Sequence, residues 1–231
     1  MALEKKDFVE IEFTGRIKDG EVFDSNVKEE LEKLHQGHDH PVDAQPFTLC
    51  IGEGMFMPAI EEFLIGKPDT GDYEIELPPE KAFGKRDAKL IQRIPLRVFK
   101  EQNLNPAPGF LFNFDGRIGK VIASTGGRVI VDFNNPISGK DVIYNIKVLK
   151  KVTDLKEKAK ALIRFLFRTD LEFEIKDKKI IINAPKQLVE FAKMFGDKFK
   201  EILDLDLEVK EISLENNKAQ EPKKENPEQK N

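Results

Sequence analysis

The sequence predicts an α+β fold: a first domain of strands and short helices, with a small β-rich unit inserted into it and a C-terminal α-β-β-α-β domain after it. Three observations lead there. Phe8 to Ile17, FVEIEFTGRI, alternates apolar and polar residues with the period of a half-buried strand. From about Asp87 to Phe133 the pattern breaks into short strand-like runs between Gly-rich turns, and the long run DVIYNIKVLKKV that follows suits the first sheet better than this unit. Beyond Thr153 the composition shifts to amphipathic helical segments around a hairpin.

The elements follow in order. Asp19-Gly20 is a hairpin turn, and EVF opens the return strand. NVKEELEKLHQG places Val27, Leu31 and Leu34 on one face of a short helix that Gly37 stops. PFTLCIGEG reads as a strand ending in glycines. MPAIEEFLIG reads as a helix with Ile60, Phe63 and Leu64 on one side, closed by Gly66. DYEIELPPE is a strand halted by two prolines. KLIQRIPLRVFKEQNLNPAPG gives a short strand, a short helix and a turn, and FLFNFDG, GKVIAST and GRVIVDFN give three strands. In the last part, DLKEKAKALIRFLF is a helix and LEFEIKDKKIIINAP a hairpin turning near Asp177-Lys178. PKQLVEFAKMFGDKFKEIL is a helix interrupted at Gly196, and DLEVKEISL is a strand. The expected domains are 1–86 with 134–152, an insert at 87–133, and a C-terminal domain at 153–214. The polar, charged stretch 215–231 is expected to be disordered.

Composition narrows the function. The net charge of −4 argues against a dedicated nucleic-acid binder, which is usually strongly basic. A single cysteine, Cys50, rules out an internal disulfide and fits a reducing compartment. No apolar run approaches the roughly 18 residues of a membrane span, and MALEKKDFVEIEF has no long apolar stretch for a signal peptide. A cytoplasmic protein without membrane contact is therefore expected. Aromatic residues are skewed to 18 Phe against 2 Tyr and no Trp, so phenylalanine must line cores and any apolar binding surface.

The segments FTGRIKDGEVFDSN, PFTLCIGEGMFMPAIEEFLIG and PPEKAFGKRD, in this order and spacing, resemble the FKBP-type peptidyl-prolyl cis-trans isomerases. The unit after AFG and the return through NPISGKDVIYNIKV resemble the SlyD-like branch, where an insert-in-flap domain interrupts the isomerase domain. The added C-terminal domain is similar to the long archaeal members. The resemblance implies a half-barrel sheet around a short helix and an aromatic cup that holds proline. It places Phe23, Phe83, Tyr144 and Asp24 as catalytic candidates. It places Phe13, Phe47, Phe56, Met57 and Ile60 as substrate contacts, with Phe133 and Ile137 at the rim where the insert rejoins. Three positions depart from the best-known short members: two cup tyrosines are Phe13 and Phe83 here, and the tryptophan floor is Ile60. Lost hydroxyls weaken the case for tight macrolide binding more than for turnover of protein substrates.

The chemistry implied needs no cofactor and no proton transfer. Amide resonance sets a barrier of about 18–20 kcal/mol to X-Pro rotation. Water favours the planar, polar amide over the twisted one, so a cup that strips water lowers the barrier. A shape that fits the twisted form better than either planar isomer adds to this. Asp24 would then accept hydrogen bonds that fix its surroundings, or polarise the rim; as a plain turn aspartate it would bond its own backbone. The insert, with Phe99, Leu104, Phe110, Phe112 and Phe114 in a unit too small to bury them all, is implied to capture unfolded chain.

The histidines cluster in HQGHDH as His35, His38 and His40, a weak candidate for Zn²⁺ or Ni²⁺. Histidine near a helix C-terminus is also favoured by the helix dipole alone. The expected partners are unfolded or proline-containing polypeptides, with a homodimer through the C-terminal domain as one use of that domain. Three functions remain open at this point: a prolyl isomerase with chaperone activity, a non-catalytic holdase, and a metal-handling protein.

Overall fold

The computed structural model describes residues 1–35 and 44–212. Along the chain run β1 (Phe8–Ile17), β2 (Val22–Ser25), α1 (Lys28–Leu34), β3 (Phe47–Cys50), α2 (Pro58–Leu64) and β4 (Gly71–Leu77). Then come β5 (Ile91–Pro95), α3 (Leu96–Glu101), β6 (Leu111–Phe114), β7 (Arg117–Thr125), β8 (Arg128–Asp132) and β9 (Val142–Val152). Last are α4 (Leu155–Phe167), β10 (Phe173–Lys176), β11 (Lys179–Pro185), α5 (Lys186–Lys193), α6 (Gly196–Leu203) and β12 (Asp206–Ile212). The mixture of helices and sheets is the α+β class read from the sequence.

Contacts divide the chain into two units. The first comprises Met1–Glu4, Glu10–Phe47 and Phe56–Lys150. Its main sheet has the order β2-β1-β9-β4, with β3 pairing β1. The alternation in β1 does its work here: Ile11, Phe13 and Gly15 are buried, while Glu10, Glu12, Thr14 and Arg16 face outward. Asp19 takes the left-handed conformation in the β1–β2 turn, and the Gly20 amide donates to the Ile17 carbonyl at 2.9 Å. α1 buries none of its residues, because a KEELEK run leaves too narrow an apolar stripe. α2 starts on Pro58, whose missing N–H costs nothing at that position, and buries Ile60, Glu61 and Leu64.

Within the same unit, β5-β8-β7-β6 form a separate four-stranded sheet. It has its own small core of Phe99, Val121, Val129 and Val131, against which Phe112, Phe114 and Phe133 pack. Its two ends meet at a narrow neck. The Asp87 amide donates to Asn134 Oδ1 at 2.8 Å, and Asn134 Nδ2 donates to the Asp87 carbonyl at 3.0 Å. Arg86 and Asp132 form an ion pair beside them.

The second unit comprises Lys5–Val9, Thr48–Met55 and residues from Lys151 onward. Its sheet β10-β11-β12 is antiparallel between β10 and β11 and parallel between β11 and β12. The predicted turn at Asp177-Lys178 has both residues at positive φ, the pairing that closes a two-residue hairpin. Asp154 caps α4 by accepting from the Glu157 amide at 2.9 Å. The helix break expected at Gly196 separates α5 from α6. Composition alone set a boundary near Val152. The structure instead groups two earlier segments with the C-terminal elements: Lys6 pairs with Glu201 at 3.2 Å, and Lys158 lies 5.8 Å over the Phe8 ring. The segment 215–231, expected to be disordered, lies outside the described residues.

Candidate active site

The site begins with Phe13 on β1. The adjoining DSN sequence grips its backbone from both sides. Asn26 Oδ1 accepts from the Phe13 amide at 2.6 Å, and Ser25 Oγ donates to the Phe13 carbonyl at 2.9 Å. Ser25 has only one hydroxyl proton, so in its 2.9 Å contact with Thr14 the Thr14 Oγ1 donates. Asn26 Nδ2 uses both its protons, on the carbonyls of Ile11 at 3.0 Å and Gln45 at 3.1 Å. Two short polar side chains thus fix a buried phenylalanine without touching its ring.

Five more rings gather around Phe13. Its centroid lies 4.8 Å from Phe56, 6.3 Å from Tyr144 and 6.5 Å from Phe47. Phe56 is 5.7 Å from Phe47 and 5.9 Å from Tyr144. Phe23 joins by edge-to-face contacts with Tyr144 at 5.8 Å and Phe83 at 5.3 Å. Phe13 and Tyr144 are buried, whereas Phe23, Phe47, Phe56 and Phe83 stay partly open to solvent. The set is therefore a floor with half-open walls rather than a sealed core.

Three residues that sequence reasoning passed over hold this arrangement. A Cβ on Gly15 would stand 2.8 Å from Tyr144 Cε1 and 2.9 Å from Phe23 Cζ, closer than packed carbons sit. Only glycine lets those rings meet over β1. Glu61 is 2% exposed, and its Oε1 accepts from the Phe56 amide at 2.7 Å, which pins the loop carrying that ring. Ser138 Oγ donates to the Phe83 carbonyl at 3.0 Å and ties the return loop to the far wall. The signal for Gly15 was a glycine inside a strand, which often marks a close approach. Glu61 had none, since a carboxylate in a helix of charged residues reads as surface.

The other candidates fall as follows. Met57 is the residue before α2 and is half-buried. Ile60 is fully enclosed and offers no surface to a ligand, so it supports the site from within α2 rather than lining it. Ile137 sits half-buried in the return loop, its amide donating to Asn135 Oδ1 at 2.9 Å. Phe133 departs from the rim expected of it. Its ring packs 5.2 Å from Phe114, with the Arg117 guanidinium 4.8 Å over it, because the small core of the insert needs its area. His35 is exposed at the end of α1, and His38 and His40 lie outside the described residues.

Asp24 pairs across from Gly15. Desolvation beside the ring wall raises the pKa of its carboxyl, against a smaller lowering from the Ser25 amide. The carboxyl is thus half-shielded while the residue as a whole stays exposed. Burial first, and then the Asp24 charge, hold the Tyr144 phenol above its usual value. A concavity of about 370 Å³ is lined by Phe13, Val27, Tyr73 and Ile146 together with Glu12, Thr14, Asp72, Glu74, Asn145 and Lys147.

Residues 1–96 match the family described as FKBP-type peptidyl-prolyl cis-trans isomerase, and residues 92–137 match that described as FKBP26, IF domain. The short-type peptidyl-prolyl cis-trans isomerase of Methanocaldococcus jannaschii is 32% identical over 146 residues, 63% of this chain and 92% of that one. A probable FKBP-type 16 kDa isomerase of Pseudomonas fluorescens is 28% identical, covering 48% of this chain and 76% of its own. The isomerase SlyD of Haemophilus influenzae is 28% identical, covering 64% and 72%. A cluster of six packed rings, four of them partly open to solvent, and a relative matched along nearly its whole length agree: the chain belongs to the FKBP-type peptidyl-prolyl cis-trans isomerases.

Proposed function

We propose that this chain accelerates the cis-trans isomerisation of X-Pro bonds in unfolded or partly folded polypeptides, with the aromatic cup as the catalytic site. The observation that carries the reading is the contiguous set of six rings, two buried and four half-open, fixed from behind by Ser25, Asn26, Gly15 and Glu61. A pyrrolidine entering it loses water on several faces at once. The planar amide, more polar than the twisted one, loses more solvation, and the rotational barrier falls. No side chain has to give or take a proton.

The insert supplies chain capture in the same proposal. Phe110 is 54% exposed, Leu111 61% and Ile118 56%, a group of large apolar side chains beyond what its small core accommodates. We divide the roles as isomerase domain at 1–86 with 134–152, capture domain at 87–133, and C-terminal domain at 153–214. That last domain leaves Phe191 and Met194 open and is the surface for association of two copies. Among the described residues no helix is long and apolar enough to cross a membrane, and the lone Cys50 is buried; both accord with a cytoplasmic workplace. The test is the intact chain in two assays, isomerisation of a prolyl tetrapeptide and refolding of a protein limited by a proline bond. Acceleration in both is expected. Suppressed aggregation without acceleration would instead identify a holdase.

A further inference from the structure

Among the described residues, the hydroxyl of Tyr144 is a polar group of the ring cluster that an apolar role leaves unused. The Tyr144 ring is enclosed by Phe13, Phe23 and Phe56 at centroid distances of 6.3, 5.8 and 5.9 Å, and the residue is only 2% exposed. Its Oη has no hydrogen-bond partner among the described residues, yet none of the buried side-chain oxygens there lacks one. The sliver of Tyr144 that meets solvent is therefore at its hydroxyl, and the donor is unspent.

We propose that Tyr144 Oη donates a hydrogen bond to the backbone carbonyl of the proline residue held in the cup. The assignment rests on the cup being a prolyl site. A polypeptide that sheds water there must find a partner for each carbonyl it buries, and phenylalanine rings provide none. Three acceptors compete. Donation to the carbonyl of the rotating bond would stabilise the planar amide and slow the reaction. Donation to the prolyl nitrogen works only after twisting, since resonance ties up that lone pair in the planar form. The carbonyl of proline itself stays put while the preceding residue swings, so a bond to it serves ground and transition states alike. Burial and Asp24 keep the phenol protonated across physiological pH, as a donor requires. This makes Tyr144 a binding residue whose loss appears in KM.

The experiment compares the full chain with Tyr144→Phe on a prolyl tetrapeptide. The variant is expected to raise KM about three- to ten-fold, the worth of one desolvated neutral hydrogen bond, with kcat and melting temperature nearly unchanged. A second measurement needs no change in the cup. The chain has 2 Tyr and no Trp, so Tyr73→Phe leaves Tyr144 as the sole source of the near-ultraviolet tyrosine band. Saturation of that variant with the tetrapeptide is expected to shift the band to the red, the signature of a phenol that has become a donor. An unchanged KM, a loss confined to kcat, or a band that does not move would each overturn the assignment while leaving the isomerase reading of the parent chain standing. Absence of turnover in the unaltered chain would sink the underlying reading, and the assignment with it.

Discussion

Asp24 shows how a single side chain divides between structure and site. It accepts from the Ser25 amide, as a turn aspartate does, and it also bears on the Tyr144 phenol. Its carboxyl holds a proton to higher pH in the folded chain than in the unfolded one. Folded protein therefore binds more protons just above the ordinary carboxylate range, and this contribution to stability is lost as pH rises through the raised pKa. At neutral pH the charge is a small liability, kept modest by the solvent around this exposed residue. Asp24→Asn is expected to gain melting temperature relative to the parent at neutral pH and to lose that advantage below the ordinary carboxylate range. Parallel thermal melts across pH check it; an advantage that grows in acid contradicts it. Reading Asp24 as a group beside a cup was possible from the motif. Its half-shielded state was not, because that depends on rings delivered by other strands.

At the scale of elements, most of the chain was legible. Period-two alternation and Gly/Pro punctuation are local signals, and β1, the β10–β11 turn and the break between α5 and α6 all stand where those signals put them. What escaped were relations between elements. Gly15 matters because Phe23 arrives from β2 and Tyr144 from β9 over the same point of β1. Phe133 matters to the insert because Gly119 leaves room beneath it, with an added Cβ at 2.8 Å from its ring. Gly15→Ala is expected to force the two cup rings apart and lower kcat/KM on a prolyl tetrapeptide about ten-fold or more, at a destabilisation of about 1–3 kcal/mol typical of overpacking. Kinetics together with denaturant unfolding test this. Turnover equal to that of the parent would show that the rings need no such seat.

For the whole molecule, the decisive feature is the neck. The Asn134 side chain bonds both the amide and the carbonyl of Asp87, and the Gly139 amide donates to the Gly84 carbonyl at 2.8 Å just behind them. The ends of the insert are thus already adjacent, and a short loop can replace residues 87–133 without pulling on the cup. Such a deletion is expected to cost refolding catalysis about ten-fold or more, an avidity effect, while a tetrapeptide loses far less. Equal losses on both substrates would show that the insert shapes the cup instead of feeding it. The grouping of Lys5–Val9 and Thr48–Met55 with the C-terminal elements was invisible in composition, since those segments carry strand and glycine patterns that suit either unit equally well.

The bonds of Asn26 carry a last consequence. Its side-chain nitrogen faces two carbonyl oxygens, and both its protons are engaged. Hydrolysis of that amide, a slow spontaneous ageing reaction of asparagine, would swap the nitrogen for a negatively charged oxygen pointed at the same two acceptors. Attraction would become repulsion beside one of the two side chains that hold the Phe13 backbone, so ageing of this single amide would loosen the seat of the central ring of the cluster.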